Sequence, residues 1–401
     1  MCGFVVTTDI ENCAKMMERQ QFRGPDGMAM WKNDKIAMAH ALLDISGKKQ
    51  LQPYKTKKGN YLVFNGEMYD TNIQNDTKYL ADGLEHYGFK FLEWNDWHGS
   101  LAWYKPETNK LIICRDHFGA KPLWVHKKGK NVTVTTSLRS LSDMKENPAN
   151  KKGYIINSLL QGSESPYKDV VKVAPGQYII FDFNKNKIIY KNLWNSFRVR
   201  SNPFNKADFR ARLTSSVQKI AQSNQKTGLF LSGGFDSTFA LSAVKDMDID
   251  LTVYICAYDK SNGLYHQHNA FREEARLAAE TCREWDIKHR IVVLQQDKIY
   301  DDDRRWLNKA RFPWSDRNRR APRYFLCEQA ALDGCKVILT GDSADELFSG
   351  YMHHHKFWLE GYCEEKLEWY KTFPWFPDIE WSDTDKWNNM LLSDLLITSE
   401  Q

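Results

Sequence analysis

The chain has 401 residues, 42% hydrophobic and 27% charged, a length and balance that fit two globular domains and exclude a disordered or collagen-like polymer. The formal net charge of +5 is a mild excess with no basic block that demands nucleic acid, and no apolar run approaches the roughly 20 residues that span a bilayer. The start, MCGFVVTTDIENC, lacks the charged region and apolar core of a signal peptide, and eight cysteines without CxxC spacing predict reduced thiols in a cytoplasm rather than disulfides or zinc.

In chain order, the first half is a series of short strand-like runs: CGFVVT, KIAMAHALL, NYLVFNG, GSLAWYK, KLIICRD, KPLWVHK, NVTVTTS and GQYIIFDF. Turn residues separate them, which predicts a domain dominated by antiparallel sheet, with a helix around residues 77–87. Composition shifts at NLWNSFRVRSNPFNKADF, where Asn202–Pro203 reads as a linker before a helix start, so the domain boundary is placed there.

The second half alternates. Strand-like GLFLS, LTVYICAY, HRIVVL and KVILTG are separated by helical segments such as 273–285 and 323–332, and Ala275, Ala278, Ala279 and Cys282 share one helical face. Such alternation predicts a mostly parallel α/β sheet, whose ligands bind beyond the carboxyl ends of its strands. LSGGFDS and LTGDSADE both sit at such ends.

Three short stretches carry chemistry. LFLSGGFDSTFA (229–240) reads as strand, glycine turn and helix, an arrangement that brings backbone N–H groups and a helix dipole to a phosphate. Asp236 within it would repel that phosphate unless a cation lay between them, which points to ATP with Mg²⁺; the plain alternative is a capped strand-to-helix turn. Removal of Met1 would leave the Cys2 thiol beside an α-amino group of ordinary pKa about 7.7–8, an N-terminal nucleophile with its own general base, against the alternative of a thiol buried in the first strand. In FNGEMYD (64–70), the Asn65 side-chain amide and the Gly66 N–H could form an oxyanion hole.

Taken together, the Cys2 start, RGPDG, FNGEMYD, CRDHFGAKPLW, APGQY, LSGGFDST and LTGDSADELFSGYMHHHK resemble, in order and approximate spacing, the glutamine-hydrolysing asparagine synthetases, over positions 1 to about 356. The resemblance implies a two-domain α/β protein. An N-terminal nucleophile (Ntn) hydrolase αββα sandwich, the glutaminase at 1–200, is followed by a PP-loop ATP pyrophosphatase-type parallel α/β domain at 204–401. It implies that Cys2 is the nucleophile, that Asn65 and Gly66 are oxyanion donors, and that Ile45, Glu67 and Asp76 line the glutamine site with them. Ser232, Gly233, Gly234, Asp236 and Ser237 match the pyrophosphate loop. Phe230, Cys256, Thr340 and Gly341 would lie near the nucleoside, and Asp236 and Asp345 would hold Mg²⁺.

Two positions and one stretch depart from the family pattern. Leu42 stands where the family has an arginine that clamps the glutamine carboxylate; a leucine cannot replace that bidentate contact, and Lys48 or Lys49 are the nearby substitutes. Asp342 replaces a glutamate, keeping a carboxylate for substrate or ammonia proton handling with a shorter reach. The stretch 357–401 shows no counterpart of the family's longer helical region and its phosphate-contacting lysine, for which Arg319, Arg320, Arg323 or Lys356 could supply charge.

Other eye-catching runs have plainer readings. Adjacent histidines in HHH (353–355) point in different directions on a helix and rarely close a metal site, so His355 and Lys356 are placed in the family's loop. DDDRR (301–305) reads as a solvated helix start, and RNRRAPR (317–323) as a basic surface or a contact for phosphate or an acidic acceptor. The expected function is glutamine-dependent, AMP-forming amide synthesis with ATP and Mg²⁺, asparagine from aspartate by default. The alternatives are the same mechanism on another carboxylate and a non-catalytic sensing protein. Small-molecule partners are expected, with no membrane or nucleic acid and homodimerisation left open.

Overall fold

The computed structural model describes residues 1–45, 48–69, 73–157, 163–193, 205–258, 268–294 and 317–348. Asn202–Pro203, the 301–305 and 353–355 runs, Lys356 and the stretch 357–401 lie outside the described residues, as do the side chains of Arg319 and Arg320.

The first twelve strands are β1 (Gly3–Thr7), β2 (Gly27–Lys32), β3 (Ala37–Leu42), β4 (Tyr54–Lys55), β5 (Tyr61–Met68), β6 (Trp97–Lys105), β7 (Lys110–Arg115), β8 (Trp124–Lys128), β9 (Asn131–Thr135), β10 (Val170–Lys172), β11 (Gln177–Asp182) and β12 (Lys187–Asn192). They form two six-stranded sheets, ordered β10-β8-β9-β1-β3-β2 and β12-β11-β7-β6-β5-β4, in which the paired strands run antiparallel.

The period of two along each strand explains the layering. Phe4 and Val6 of β1, Met38 of β3, Tyr61 and Val63 of β5, and Ala102 and Tyr104 of β6 point into one buried core between the sheets. Their neighbours point outward. Val5, Ala37, Ala39 and Ala41 pack against Cys13 and Met17 of helix α1 (Cys13–Glu18). On the other side, Leu62, Phe64, Leu101 and Trp103 pack against helices α2 (Asp76–Tyr87) and α3 (Lys90–Trp94) through Leu80, Leu84, Phe91 and Leu92. The result is the αββα sandwich of the Ntn hydrolases. The four edge strands, β2, β4, β10 and β12, are not among the runs read from the sequence: β4 and β10 are two and three residues long, and β2 and β12 leave much of their length exposed.

Helix α4 (Pro148–Asn157) lies between β9 and β10 in sequence, and α5 (Lys206–Ala221) opens the second unit. There β13 (Thr227–Phe230), α6 (Phe235–Val244), β14 (Leu251–Tyr258), α7 (His268–Glu284), β15 (His289–Leu294), α8 (Arg317–Leu332), β16 (Val337–Leu339) and α9 (Ala344–Phe348) follow in turn. The four strands make a parallel sheet ordered β15-β14-β13-β16. Ala275, Ala278, Ala279 and Cys282 are buried against Leu229, Val253 and Ile255 on one face, while Leu326 and Ala330 of α8 cover Tyr254 on the other. The order places β14 on one side of β13 and β16 on the other, so the chain changes direction at β13. The crevice beyond the carboxyl ends of β13 and β16 is the ligand-binding position of such a sheet.

Candidate active sites

The same alternation builds the first site. Cys2 continues the inward parity of Phe4 and Val6, and His40 and Leu42 continue that of Met38; Asn65 and Glu67 continue that of Tyr61 and Val63 on the facing sheet. The half-buried Cys2 Sγ accepts the Leu43 N–H at 3.3 Å and lies 3.6 Å from the Leu43 carbonyl. Burial pushes the thiol up, partly opposed by the Leu43 hydrogen bond, and Glu67 and Asp76 are among the charges acting on it. The α-amino group of Met1 is held down at about 5, chiefly by burial. His40 is buried and held near 4, hence neutral, with Nε2 at 3.2 Å from the Phe64 carbonyl.

Asn65 is buried and its Nδ2 has no hydrogen-bond partner among the described residues. Leaving a buried amide donor unpaired costs about 1–3 kcal/mol, so an unpaired one on the inward face of β5 fits an oxygen that arrives with a ligand. Gly66 lies opposite Gly99 in the β5–β6 pairing, and a Cβ on Gly66 would stand 2.6 Å from the Gly99 Cα and closer still to the His98 carbonyl oxygen. Asp76, the first residue of α2, is half-buried and pushed up to about 6, mainly by desolvation and against the Thr77 hydrogen bonds.

The CRDHFGAKPLW segment proves to be scaffold plus one cation. Arg115 is buried and donates to the carbonyls of Lys121 (2.8 Å), Val173 (2.9 Å) and Gly119. Asp116 accepts from the N–H groups of Gly99 (2.9 Å), Phe118 (3.1 Å) and Ala120 (3.0 Å). Together they fix the turn that carries Lys121. Burial pushes the Lys121 ammonium down, and the charges acting on it are Glu67, Asp116, Arg23 and Cys2. Arg23 in turn donates through Nε to the Cys2 carbonyl at 3.0 Å. Sequence reasoning missed Lys121 because nothing linear connects residue 121 to residue 2.

Of the two lysines weighed for the missing arginine, Lys49 has its ammonium engaged elsewhere. Leu42 is 7% exposed at the end of β3. Lys49 Nζ donates to the Asp26 carbonyl at 2.6 Å, the Lys48 N–H donates to the Gln74 carbonyl at 2.8 Å, and the Ile45 carbonyl accepts the Ser223 hydroxyl at 2.8 Å.

The second site occupies the switch point. After β13, Gly233 has φ +83° and a Cβ there would be 2.5 Å from the Glu274 carbonyl, so the loop can pass α7 only as glycine. Gly234 opens α6 without a side-chain cap, leaving the helix start to a ligand. The Ser237 hydroxyl accepts the Ser232 N–H at 3.2 Å and Ser232 Oγ accepts the Gly234 N–H at 3.2 Å, so both serines shape the loop. Beyond β16, a Cβ on Gly341 would stand 2.8 Å from the Ser237 nitrogen and 3.0 Å from the Asp236 carbonyl carbon. This close approach joins the two loops. Phe230 ends β13, Cys256 lies on the neighbouring β14 with its thiol pushed up to about 12 by burial, and Thr340 follows β16. Asp342 accepts Arg323 Nη2 at 2.7 Å. Asp345 lies in the first turn of α9. Among the described residues no group of three or more His, Cys, Asp or Glu side chains is placed to hold a metal. Among them, too, no helix is long and apolar enough to cross a membrane.

The fold and its two sites define the class: an Ntn-type amidotransferase sandwich joined to a PP-loop-type α/β domain. Residues 1–194 match the glutamine amidotransferase domain family, and residues 208–393 match the asparagine synthase family, so the match extends through most of the 357–401 stretch, against the expectation that it has no family counterpart. The chain belongs to the glutamine-hydrolysing asparagine synthetase family. It is 22% identical over 389 residues to amidase chry2 of Gibberella zeae, covering 85% of this chain and 55% of that one. It is 24% identical over 348 residues to putative asparagine synthetase [glutamine-hydrolyzing] 1 of Methanocaldococcus jannaschii (82% and 60%). It is 23% identical over 395 residues to asparagine synthetase [glutamine-hydrolyzing] 1 of Bacillus subtilis (88% and 59%). The chain thus spans 55–60% of the length of these relatives.

Proposed function

We propose that the protein is an ATP-dependent, AMP-forming amidotransferase that takes ammonia from glutamine and delivers it to an activated carboxylate, with aspartate to asparagine as the default reaction. In the first site the Cys2 thiol, freed by removal of Met1, attacks the glutamine amide carbon with the α-amino group as base. Asn65 Nδ2 and the Gly66 N–H receive the developing oxyanion. Glu67 and Asp76 are suited to the substrate ammonium. Ammonia leaves, water hydrolyses the thioester to glutamate, and the ammonia passes to the second domain.

There the 232–237 loop and the start of α6 receive the ATP phosphates. The acceptor carboxylate attacks the α-phosphorus, pyrophosphate departs, and ammonia displaces AMP from the acyl-adenylate. Asp236 and Asp345 are the hard oxygen ligands that would hold Mg²⁺, which when bound would neutralise phosphate charge. Asp342, paired with Arg323, would serve in acceptor or ammonia proton handling. The observation that carries this reading is the backbone contact of Gly341 with residues 236–237, which puts the two loops into one crevice.

A second reading, the same mechanism on a different carboxylate, is favoured by Leu42 and by Asp342 in place of glutamate. The deciding experiment is mass spectrometry of products after incubation with ATP, Mg²⁺, glutamine and a panel of carboxylates. AMP, pyrophosphate, glutamate and one amide in equal amounts support the proposal, and the amide names the acceptor. Formation of ADP and phosphate, or no nucleotide turnover with any carboxylate, would overturn it.

A further inference from the structure

Asp26, in the RGPDG turn, is a point where the second domain meets the Cys2 site, beside the Ser223 hydroxyl on the Ile45 carbonyl. Each of its carboxylate oxygens lies 2.9 Å from Lys336 Nζ of the second domain. The same carboxylate accepts the Asp44 N–H at 2.7 Å, and the Asp26 N–H donates to the Leu42 carbonyl at 2.9 Å. Between these two anchors stands Leu43, whose N–H is the one directed at the Cys2 sulfur. The turn also lies directly on the end of β3: a Cβ on Gly24 would collide with the backbone of Ala41 and Leu42.

Lys336 is presented by a stiff support. Its N–H donates to the Lys226 carbonyl (3.1 Å), and Lys226 Nζ donates to the Asp333 carbonyl (2.8 Å). The Asp333 carboxylate takes the Tyr254 hydroxyl (2.9 Å), Arg290 (2.7 Å) and Gln329 (3.1 Å). This network is far more than a surface ion pair requires, and it fixes the residue that leads into β16 and so to Gly341.

We propose that Asp26 and Lys336 are positioning residues: through them the second domain holds the Leu43 amide on the Cys2 thiol and so sets the readiness of the nucleophile. Without the ammonium, the half-buried carboxylate turns toward water and releases the Asp44 N–H. The strand end then loosens, and the thiolate loses its backbone donor. The inference takes Cys2 as the nucleophile of the proposed reaction, yet its test needs no substrate.

The test is the rate of iodoacetamide alkylation of Cys2 as a function of pH, followed by peptide mass spectrometry on the full chain. The variants are Lys336→Met and Lys336→Arg, with circular dichroism and thermal melting as folding controls. Lys336→Met should raise the pH at which Cys2 becomes reactive and slow alkylation at neutral pH by about two- to tenfold, the equivalent of one hydrogen bond. Lys336→Arg should restore the wild-type profile. An unchanged profile in folded Lys336→Met overturns the proposal, as does equal loss in Lys336→Arg. Absence of glutamine hydrolysis by the wild type would instead count against the proposed function and leave this result readable.

Discussion

Gly66 and Gly99 face each other across β5 and β6, and neither has room for a side chain: a Cβ on Gly99 would stand 2.6 Å from Phe64 Cε2 and 2.9 Å from the Asn65 carbonyl oxygen. The pair brings the two strands together where Asn65 and Gly66 present their N–H groups. Gly66→Ala should therefore push β6 aside and misplace an oxyanion donor. Glutamine hydrolysis should fall by roughly 10²–10³, the effect of losing one such donor, while synthesis from added ammonia continues. Glutamate release and amide formation, measured in parallel, check this.

Cys2→Ala should abolish glutamine hydrolysis and leave ammonia-dependent synthesis nearly intact, because the second crevice contains no part of the thiol site. Intact-mass measurement of active protein should show a chain that begins at Cys2. Active protein that retains Met1 would contradict the N-terminal base, since the thiol's own α-amino group would then be a peptide nitrogen.

The donor's carboxylate needs a cation, and Lys121 is fixed near Cys2 and Glu67 by the Arg115–Asp116 turn. Lys121→Met should raise KM for glutamine by about tenfold or more with a smaller change in kcat, the pattern of lost uniform binding. Leu42→Arg should lower KM more than it changes kcat if the new guanidinium reaches the same carboxylate. Steady-state kinetics on both variants check the assignment.

Asp76 is pushed up to about 6 by burial. Below that pH it is neutral and cannot hold the substrate ammonium, so kcat/KM for glutamine should fall as pH drops through about 6. Stability carries the opposite sign. With a folded pKa above the unfolded one, the Asp76 contribution is fully present below the ordinary aspartate range and is lost as pH rises through about 6. Asp76→Asn should remove the acid limb of the glutaminase profile and leave ammonia-dependent synthesis unaffected.

Asp236→Asn or Asp345→Asn should each stop pyrophosphate release while basal glutamate production persists. If both carboxylates serve one ion, the double variant should be little worse than either single one. Pyrophosphate and glutamate assays on the three variants, over a range of Mg²⁺ concentrations, decide it.

By itself the sequence determined the two kinds of sheet. Short apolar runs such as CGFVVT and NYLVFNG, which follow one another with turn residues between them, read as antiparallel strands. Continuous runs such as LTVYICAY, separated by helices, need cover on both faces. It also determined the glycine turns of 232–237 and 340–342 beyond their strands, because glycine at a strand end makes its point locally. Tertiary structure alone decided what stands around Cys2. The turn built by Arg115 and Asp116 brings Lys121 within electrostatic range of the thiol, and Asp26 meets Lys336 across 310 residues. Such contacts depend on where whole sheets and domains pack. A charge's role is then set by distance in space, which spacing along the chain does not encode.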